Sequence, residues 1–119
     1  MKPTNTRESA AALVIDAMDP EFFDACCHPV RLSLLKRLIE AGPLDIASIA
    51  SGFSQHRSVI SRHLMQMERA EILTSQKSGR EVTYDVDGPG IIAKLDRLTS
   101  AAKALTAICC PDPKETKDE

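Results

Sequence analysis

Two pairs of adjacent cysteines are the residues of this chain best suited to chemistry. Cys26 and Cys27 lie in the stretch DACCHPVRL, and Cys109 and Cys110 lie in AICCPDP near the other end. Converging thiolates bind soft ions such as zinc, cadmium, a trivalent metalloid, mercury or copper(I). Neighbouring Cα atoms are about 3.8 Å apart, below the usual disulfide range of about 4.4–6.8 Å. We therefore expect each pair to act with thiols elsewhere in the protein.

The same thiols allow other interpretations. Free cysteine is often an inert buried residue, and one thiol from each pair is enough for an oxidation switch. Cys27 precedes the helix that Pro29 is predicted to open, and the positive end of that helix dipole favours thiolate. The chain has no C-x-x-C spacing and no α/β pattern to host a thiol-disulfide enzyme, so we predict no enzymatic activity.

Helical periodicity dominates the elements that must position these thiols. Pro29 begins a helix with an apolar stripe, and Gly42 followed by Pro43 ends it. A short helix is predicted in LDIASIA, and a longer one from about residue 55 to 70, with Ser54 as its possible cap. Two extended runs flank KSGR and predict a hairpin that turns at Gly79.

The last predicted helix, residues 91–110, carries apolar residues at heptad spacing. Such a seam is typical of a helix that packs lengthwise on another helix. We expect one domain over residues 9–110, between flexible tails at residues 1–8 and 111–119. The seam consists of Ile91, Leu95, Leu98, Ala102, Leu105 and Cys109.

The charge distribution indicates where an anionic partner would bind. Residues 1–29 carry two basic and five acidic side chains, whereas residues 52–84 carry five basic and three acidic. The chain contains no apolar run of about 20 residues, the length needed to cross a bilayer. We therefore expect a cytoplasmic protein with no membrane partner, in which the cysteines are kept reduced.

A short helix, a turn, a second helix and a hairpin together predict a mainly α protein with a small β wing, a winged helix-turn-helix. Side chains that suit bases or phosphates lie on the second helix and at the wing tip. The predicted DNA-binding residues are Gln55, His56, Arg57, Ser58, Ser61, Arg62, His63, Lys77 and Arg80. His63 could instead brace the helix, and Arg31 is predicted to form a structural ion pair.

In this order the motifs resemble those of the ArsR/SmtB family of bacterial winged-helix repressors. The resemblance covers residues 20 to 110 and rests on HPVRL (28–32), SRHL (61–64), ERAEIL (68–73), Gly79-Arg80 and YDV (84–86). It implies a homodimer, formed through the first and last helices, on a palindromic operator in double-stranded DNA. An inducer would release that DNA, and no cofactor would be required for DNA binding.

The resemblance also narrows the inducer site. The segment GPLDIASIA contains no cysteine, and residues 91–110 contain no His or Glu, so two inducer sites known in the family are absent. Other members carry cysteines near the start of the fold or at the end of the last helix. We therefore expect Cys26, Cys27, Cys109 and Cys110 to bind a soft metal or metalloid that acts as the inducer. Gating of the same repressor by oxidation or sulfane sulfur, through a bridge between the two pairs, is the alternative.

Overall fold

The computed structural model describes residues 5–110 and contains six helices and three short strands in that range. Their order is α1 (Asn5–Ala17), α2 (Pro20–Cys27), α3 (Pro29–Ala41), β1 (Leu44–Asp45), α4 (Ile46–Ala50), α5 (Arg57–Arg69), β2 (Leu73–Ser78), β3 (Glu81–Val86) and α6 (Gly88–Cys109). The strands form an antiparallel sheet of order β1-β3-β2. None of the described helices is both long and apolar enough to cross a membrane.

The chain forms two compact units, and the larger comprises residues 20–91. Its core is built from one face of each helix and from β2 and β3. Because each fully buried Leu or Ile stabilises a fold by about 1.5–3 kcal/mol, these side chains hold the helix-turn-helix and the sheet together. The fully buried large side chains are Leu34, Leu38, Ile49, Ile60, Leu64, Met67, Ile72 and Leu73.

Local signals fix the ends of α3 where the sequence predicted them. Pro29 occupies the first turn, and the Nδ1 atom of His28 accepts a hydrogen bond from the amide of Val30 at 3.1 Å. Gly42 adopts φ +84° after the last turn, and its amide donates to the carbonyl of Leu38 at 2.9 Å. A residue with a side chain would be strained in that conformation, so the glycine sets the end of the helix.

The smaller unit lies within residues 1–19 and 92–119 and contains α1 and most of α6. Asp16 and Arg97 form an ion pair at 3.1 Å, and Asp19 pairs with Lys94. The buried side chains are small, namely Ala10, Ala17 and Ala101. Several large apolar side chains stay 45–68% exposed on these two helices: Leu13, Ile15, Ile92 and Leu95.

Some helix boundaries differ from those that the sequence predicted. Helix α1 begins at Asn5, within the stretch 1–8 that was predicted as a flexible tail, and Glu8 lies in its first turn, where a negative charge complements the helix dipole. Helix α6 begins at Gly88, because the Asp87 carboxylate accepts from the amide of Gly90 at 2.9 Å and so caps it. The first four residues and the predicted tail at 111–119 lie outside the described residues.

Candidate nucleic-acid interface and thiol pairs

Helix α5 has one buried face and one exposed face. Ile60, Leu64 and Met67 are at most 1% exposed and anchor it in the core. Since successive residues advance by about 100°, the opposite face carries Ser58, Arg62, Met65 and Arg69, which are all exposed. Ser61 lies at the edge of that face and is half-buried. The core therefore fixes which side chains α5 presents outward.

The N-terminus of α5 corrects the sequence prediction. The helix begins at Arg57, and its cap is His56 rather than Ser54. The Nδ1 atom of His56 accepts from the Ser58 amide at 3.1 Å, the geometry of a side-chain N-cap. Gln55 precedes the helix and is half-buried in the turn. Histidine is not among the usual capping residues, which explains why the sequence favoured the nearby serine.

Two exposed residues of α5 were not among the predicted DNA-binding residues. Met65 is 53% exposed on the same outward face as Arg62, and apolar side chains read the methyl group of thymine in the major groove. Arg69 forms an ion pair with Glu21 at 2.9 Å, so its charge is already partly neutralised. The signal that identifies Met65 is its helical spacing from Ser58, Ser61 and Arg62.

The wing is the hairpin of β2 and β3. Ser78 pairs with Glu81 across a two-residue turn, and Gly79 takes φ +64° at the first turn position, as a type II′ turn requires. Lys77 and Arg80 are exposed at the tip, where the sequence placed them.

An open cavity of about 320 Å³ lies between the wing and the start of α5. Arg57 and Arg80 both line it, together with the carboxylates of Asp45 and Glu81. Asp45 also caps α4, and the hydrogen bonds from Ser48 lower the pKa of its carboxyl group. Two arginines from different elements thus lie beside one recess, where two carboxylates offset their charge.

His63 of α5 and Arg31 of α3 form a hydrogen bond with each other. The Nε atom of Arg31 donates to Nδ1 of His63 at 3.0 Å. Burial lowers the pKa of His63, and the nearby charges of Arg31, His28 and Arg62 lower it further. These contacts favour the bracing alternative for His63. Arg31 pairs with Asp24 at 3.1 Å, the structural ion pair that the sequence predicted.

The cysteine pairs lie at the C-terminal ends of α2 and α6. In each pair one residue is half-buried and the other exposed: Cys26 beside Cys27, and Cys109 beside Cys110. All four are free thiols, and the Sγ atoms of Cys109 and Cys110 are 3.0 Å apart. Cys27 is the last residue of α2 and precedes the start of α3, so the dipoles of the two helices act on it in opposite directions and do not together favour its thiolate.

The surroundings of two thiols raise their pKa values. Burial, followed by the charge of Cys27, raises the pKa of Cys26. The hydrogen bond with Cys109 raises the pKa of Cys110, an effect that Arg7 partly opposes. Across residues 5–110, no group of three or more His, Cys, Asp or Glu side chains is arranged to hold a metal ion.

Comparisons with known proteins find the same architecture in transcriptional regulators. A family profile described as a helix-turn-helix domain covers residues 27–76. The chain is 26% identical over 88 residues to the uncharacterized HTH-type transcriptional regulator Rv0081 of Mycobacterium tuberculosis (strain ATCC 25618 / H37Rv), covering 74% of this chain and 75% of that protein.

Two solved structures share the fold. A possible transcriptional regulator for arsenical resistance is 25% identical, with a TM-score of 0.57, covering 83% of this chain and 97% of that one. An ArsR-like transcriptional regulator from Rhodococcus sp. RHA1 is 23% identical, with a TM-score of 0.61, covering 84% and 92% respectively. The chain is therefore similar, in fold and in sequence, to winged helix-turn-helix regulators of the ArsR type. Helix-turn-helix regulators of this kind are DNA-binding proteins and not enzymes, which agrees with the expectation from the sequence.

Proposed function

We propose that this protein is a homodimeric repressor of the ArsR family that binds a palindromic operator and is released by a soft metal or metalloid. The inducer would be of the arsenite or antimonite class, or a heavy metal, bound by cysteine thiolates. The observation that carries the DNA-binding half is the outward face of α5, where Ser58 and Arg62 stand opposite the buried stripe.

On DNA, α5 would enter the major groove and the wing would follow the backbone. Ser58 and Ser61 have the donors and acceptors that read base edges, and the guanidinium group of Arg62 beside them can neutralise a phosphate. Arg57 and Arg80 are exposed, so each can extend to a phosphate beyond the recess that they share with Asp45 and Glu81. Lys77 at the wing tip adds a second charge that can reach the backbone.

Dimerisation through α1 and α6 would place two α5 helices about one DNA turn apart. Its support is the exposed apolar surface of these helices, which a partner would remove from water. Size-exclusion chromatography with light scattering tests this, because Leu95→Asp and Ile92→Asp should convert a dimer to a monomer. A dimer that persists in both variants would place the interface elsewhere.

The proposed inducer site is supported by the chemistry of its sulfur donor atoms. Each helix end supplies two thiols, one of them exposed, and thiolate sulfur is the ligand that soft ions select. We propose that Cys26 and Cys27 act together with Cys109 and Cys110, so that ion binding draws the ends of α2 and α6 into one site. The likeness to a possible regulator for arsenical resistance is in keeping with such an inducer.

Fluorescence anisotropy of the reduced protein on its promoter DNA tests the proposal. Arsenite, antimonite, cadmium, mercury and copper(I) are titrated in parallel, and one of them should release the DNA at near-stoichiometric amounts. Cys109→Ser should abolish that release, whereas Ser33→Ala, an exposed hydroxyl of α3, should not. A Cys109→Ser protein that still responds fully to every ion would exclude the assigned site.

The pH dependence of release provides a second test. Two of the thiols have raised pKa values, and thiols lose their protons when they bind a metal. Less ion should therefore be needed for half-release as the pH rises from 6.5 to 8.5. A midpoint that does not change with pH would argue against thiolate ligation.

Oxidation or sulfane sulfur is the second candidate signal, because Cys27 and Cys110 are the exposed thiols of their pairs. In this version polysulfide would join one thiol of each pair through a bridge and release the DNA. Intact mass after polysulfide treatment should then show the added sulfur or the loss of two hydrogens, reversed by reductant. Release of the DNA by polysulfide alone, with no response to any metal ion, would show that sulfane sulfur and not a metal is the inducer.

A further inference from the structure

Arg31 is a charged residue inside the helix-turn-helix unit. It is 7% exposed, and its guanidinium group is held on three sides. One terminal nitrogen donates to both the backbone carbonyl and the carboxylate of Asp24, at 3.0 and 3.1 Å. The other terminal nitrogen donates to the Oε1 atom of Gln66, and Nε donates to His63.

These bonds connect three helices. Asp24 lies in α2, Arg31 lies in α3, and both His63 and Gln66 lie in α5. Because the guanidinium group is planar and rigid, it cannot follow a movement of one acceptor without changing its geometry toward the others. Losing an acceptor would also leave a buried charge unsatisfied, which is costly. The three helices are therefore coupled through one side chain.

The α2 end of this network lies beside the first thiol pair. Asp24 precedes Cys26 and Cys27 by less than one helical turn, and the half-buried Cys26 packs against the core. His28 directly follows Cys27, and its ring lies 4.8 Å, centroid to centroid, from the ring of His63. The His28 ring is only in contact with His63, whereas the chain from Asp24 through Arg31 to His63 and Gln66 is joined by hydrogen bonds at each step.

We propose that Arg31 is the positioning residue that transmits a displacement of the thiol-bearing end of α2 to helix α5. This inference rests on the proposed function, in which α5 binds DNA and thiol ligation releases it. Ligation of Cys26 and Cys27 would move Asp24, and Arg31 would pass that movement to His63 and Gln66. The result would be a tilt of α5 away from its DNA-binding position.

The test uses a covalent probe, so that it does not depend on the identity of the inducer. The parent protein carries Cys109→Ser and Cys110→Ser, which leaves only the α2 thiols. N-ethylmaleimide adds to both, as intact mass verifies, and the bulky group on half-buried Cys26 must displace the end of α2. The dissociation constant for promoter DNA is measured by anisotropy before and after modification.

Modification should weaken DNA binding of the parent by at least about fivefold, the lower end of typical coupling between sites. In Arg31→Lys the same modification should change affinity by less than about twofold, because lysine lacks the rigid fork. Arg37→Lys is the matched control, since Arg37 is a half-buried arginine of α3 that donates to the Ser48 carbonyl and not to α2 or α5. It should respond like the parent.

Circular dichroism establishes that each variant is folded. If Arg31→Lys does not fold, the double variant His63→Leu with Gln66→Leu replaces it, because it removes both α5 acceptors and keeps the Asp24 bonds. It too should lose the response to modification. A folded variant that responds like the parent, or a parent whose affinity is unchanged by the probe, would overturn the role of Arg31. Failure of every metal ion to release the wild-type protein would instead refute only the proposed inducer.

Discussion

The salt dependence of DNA binding should reveal how many positively charged side chains contact the DNA. Arg57, Arg62, Lys77 and Arg80 are exposed, and none forms an ion pair with another described residue. A dimer would bring eight such charges to the phosphates. Since each neutralised phosphate contributes about −0.9 to the slope of log K against log salt, we expect a slope of about −7. Anisotropy between 50 and 300 mM NaCl measures it.

Arg62→Gln removes two of these charges from the dimer and should reduce the magnitude of the slope by about 2. Arg69→Gln is the matched control on the same face of the same helix. Its charge is already paired with Glu21 at 2.9 Å, so the slope should change little. Equal changes in the two variants, or a wild-type slope weaker than about −3, would refute the assigned interface.

Three further predictions concern stability and are measured by urea unfolding. His56→Ala should destabilise the protein by about 1 kcal/mol, whereas His56→Asn, which keeps a cap, should cost only a few tenths. Burial and the charge of Arg31 lower the pKa of His63 below its ordinary value near 6.5. The neutral ring therefore contributes fully to the free energy of unfolding above pH 6.5, and this contribution is lost as the pH falls through the lower folded-state pKa. Unfolding between pH 5 and 8 should show this loss, and His63→Gln should remove it. Gly79→Ala should cost about 1 kcal/mol because φ is +64°, whereas Gly88→Ala, with φ in the ordinary range and open space around it, should not destabilise.

The elements that local signals determine were predictable from the sequence. His28-Pro29 and Gly42 fix the ends of α3, and the glycine of KSGR fixes the turn of the wing. The apolar stripe of α5 is also local, since its spacing alone identifies the buried face. The orientation of Arg62 toward solvent follows from that stripe, which is why Ser58 and Arg62 lie on the outward face as predicted.

What the sequence could not show depends on contacts between distant segments. Arg31 is 32 residues from His63 and 35 residues from Gln66, and no periodicity relates them. The two-residue strand Leu44–Asp45 exists only because it pairs with Thr83 and Tyr84 of β3, so the sequence placed a helix there. The cap of α5 was misplaced because histidine seldom serves in that role.

The histidines bear on which atoms can bind the inducer. His28 accepts a hydrogen bond at Nδ1 from the Val30 amide, and His63 accepts one at Nδ1 from Arg31. His56 does the same at the start of α5. A neutral imidazole that accepts at Nδ1 carries its proton on Nε2. To bind a metal, each ring would have to give up its Nδ1 hydrogen bond or lose its one remaining N–H proton.

We therefore expect His28, although adjacent to Cys27, to take no part in inducer binding. His28→Asn keeps a capping side chain for α3 but removes the imidazole, so the ion concentration for half-release should stay within about twofold of wild type. X-ray absorption at the bound arsenic or cadmium should show sulfur neighbours only. If inducer binding weakened about tenfold or more in His28→Asn, the loss expected for a group that supports the metal site, and the spectrum showed a nitrogen neighbour, the cap would have to open and the His28 ring would bind the inducer.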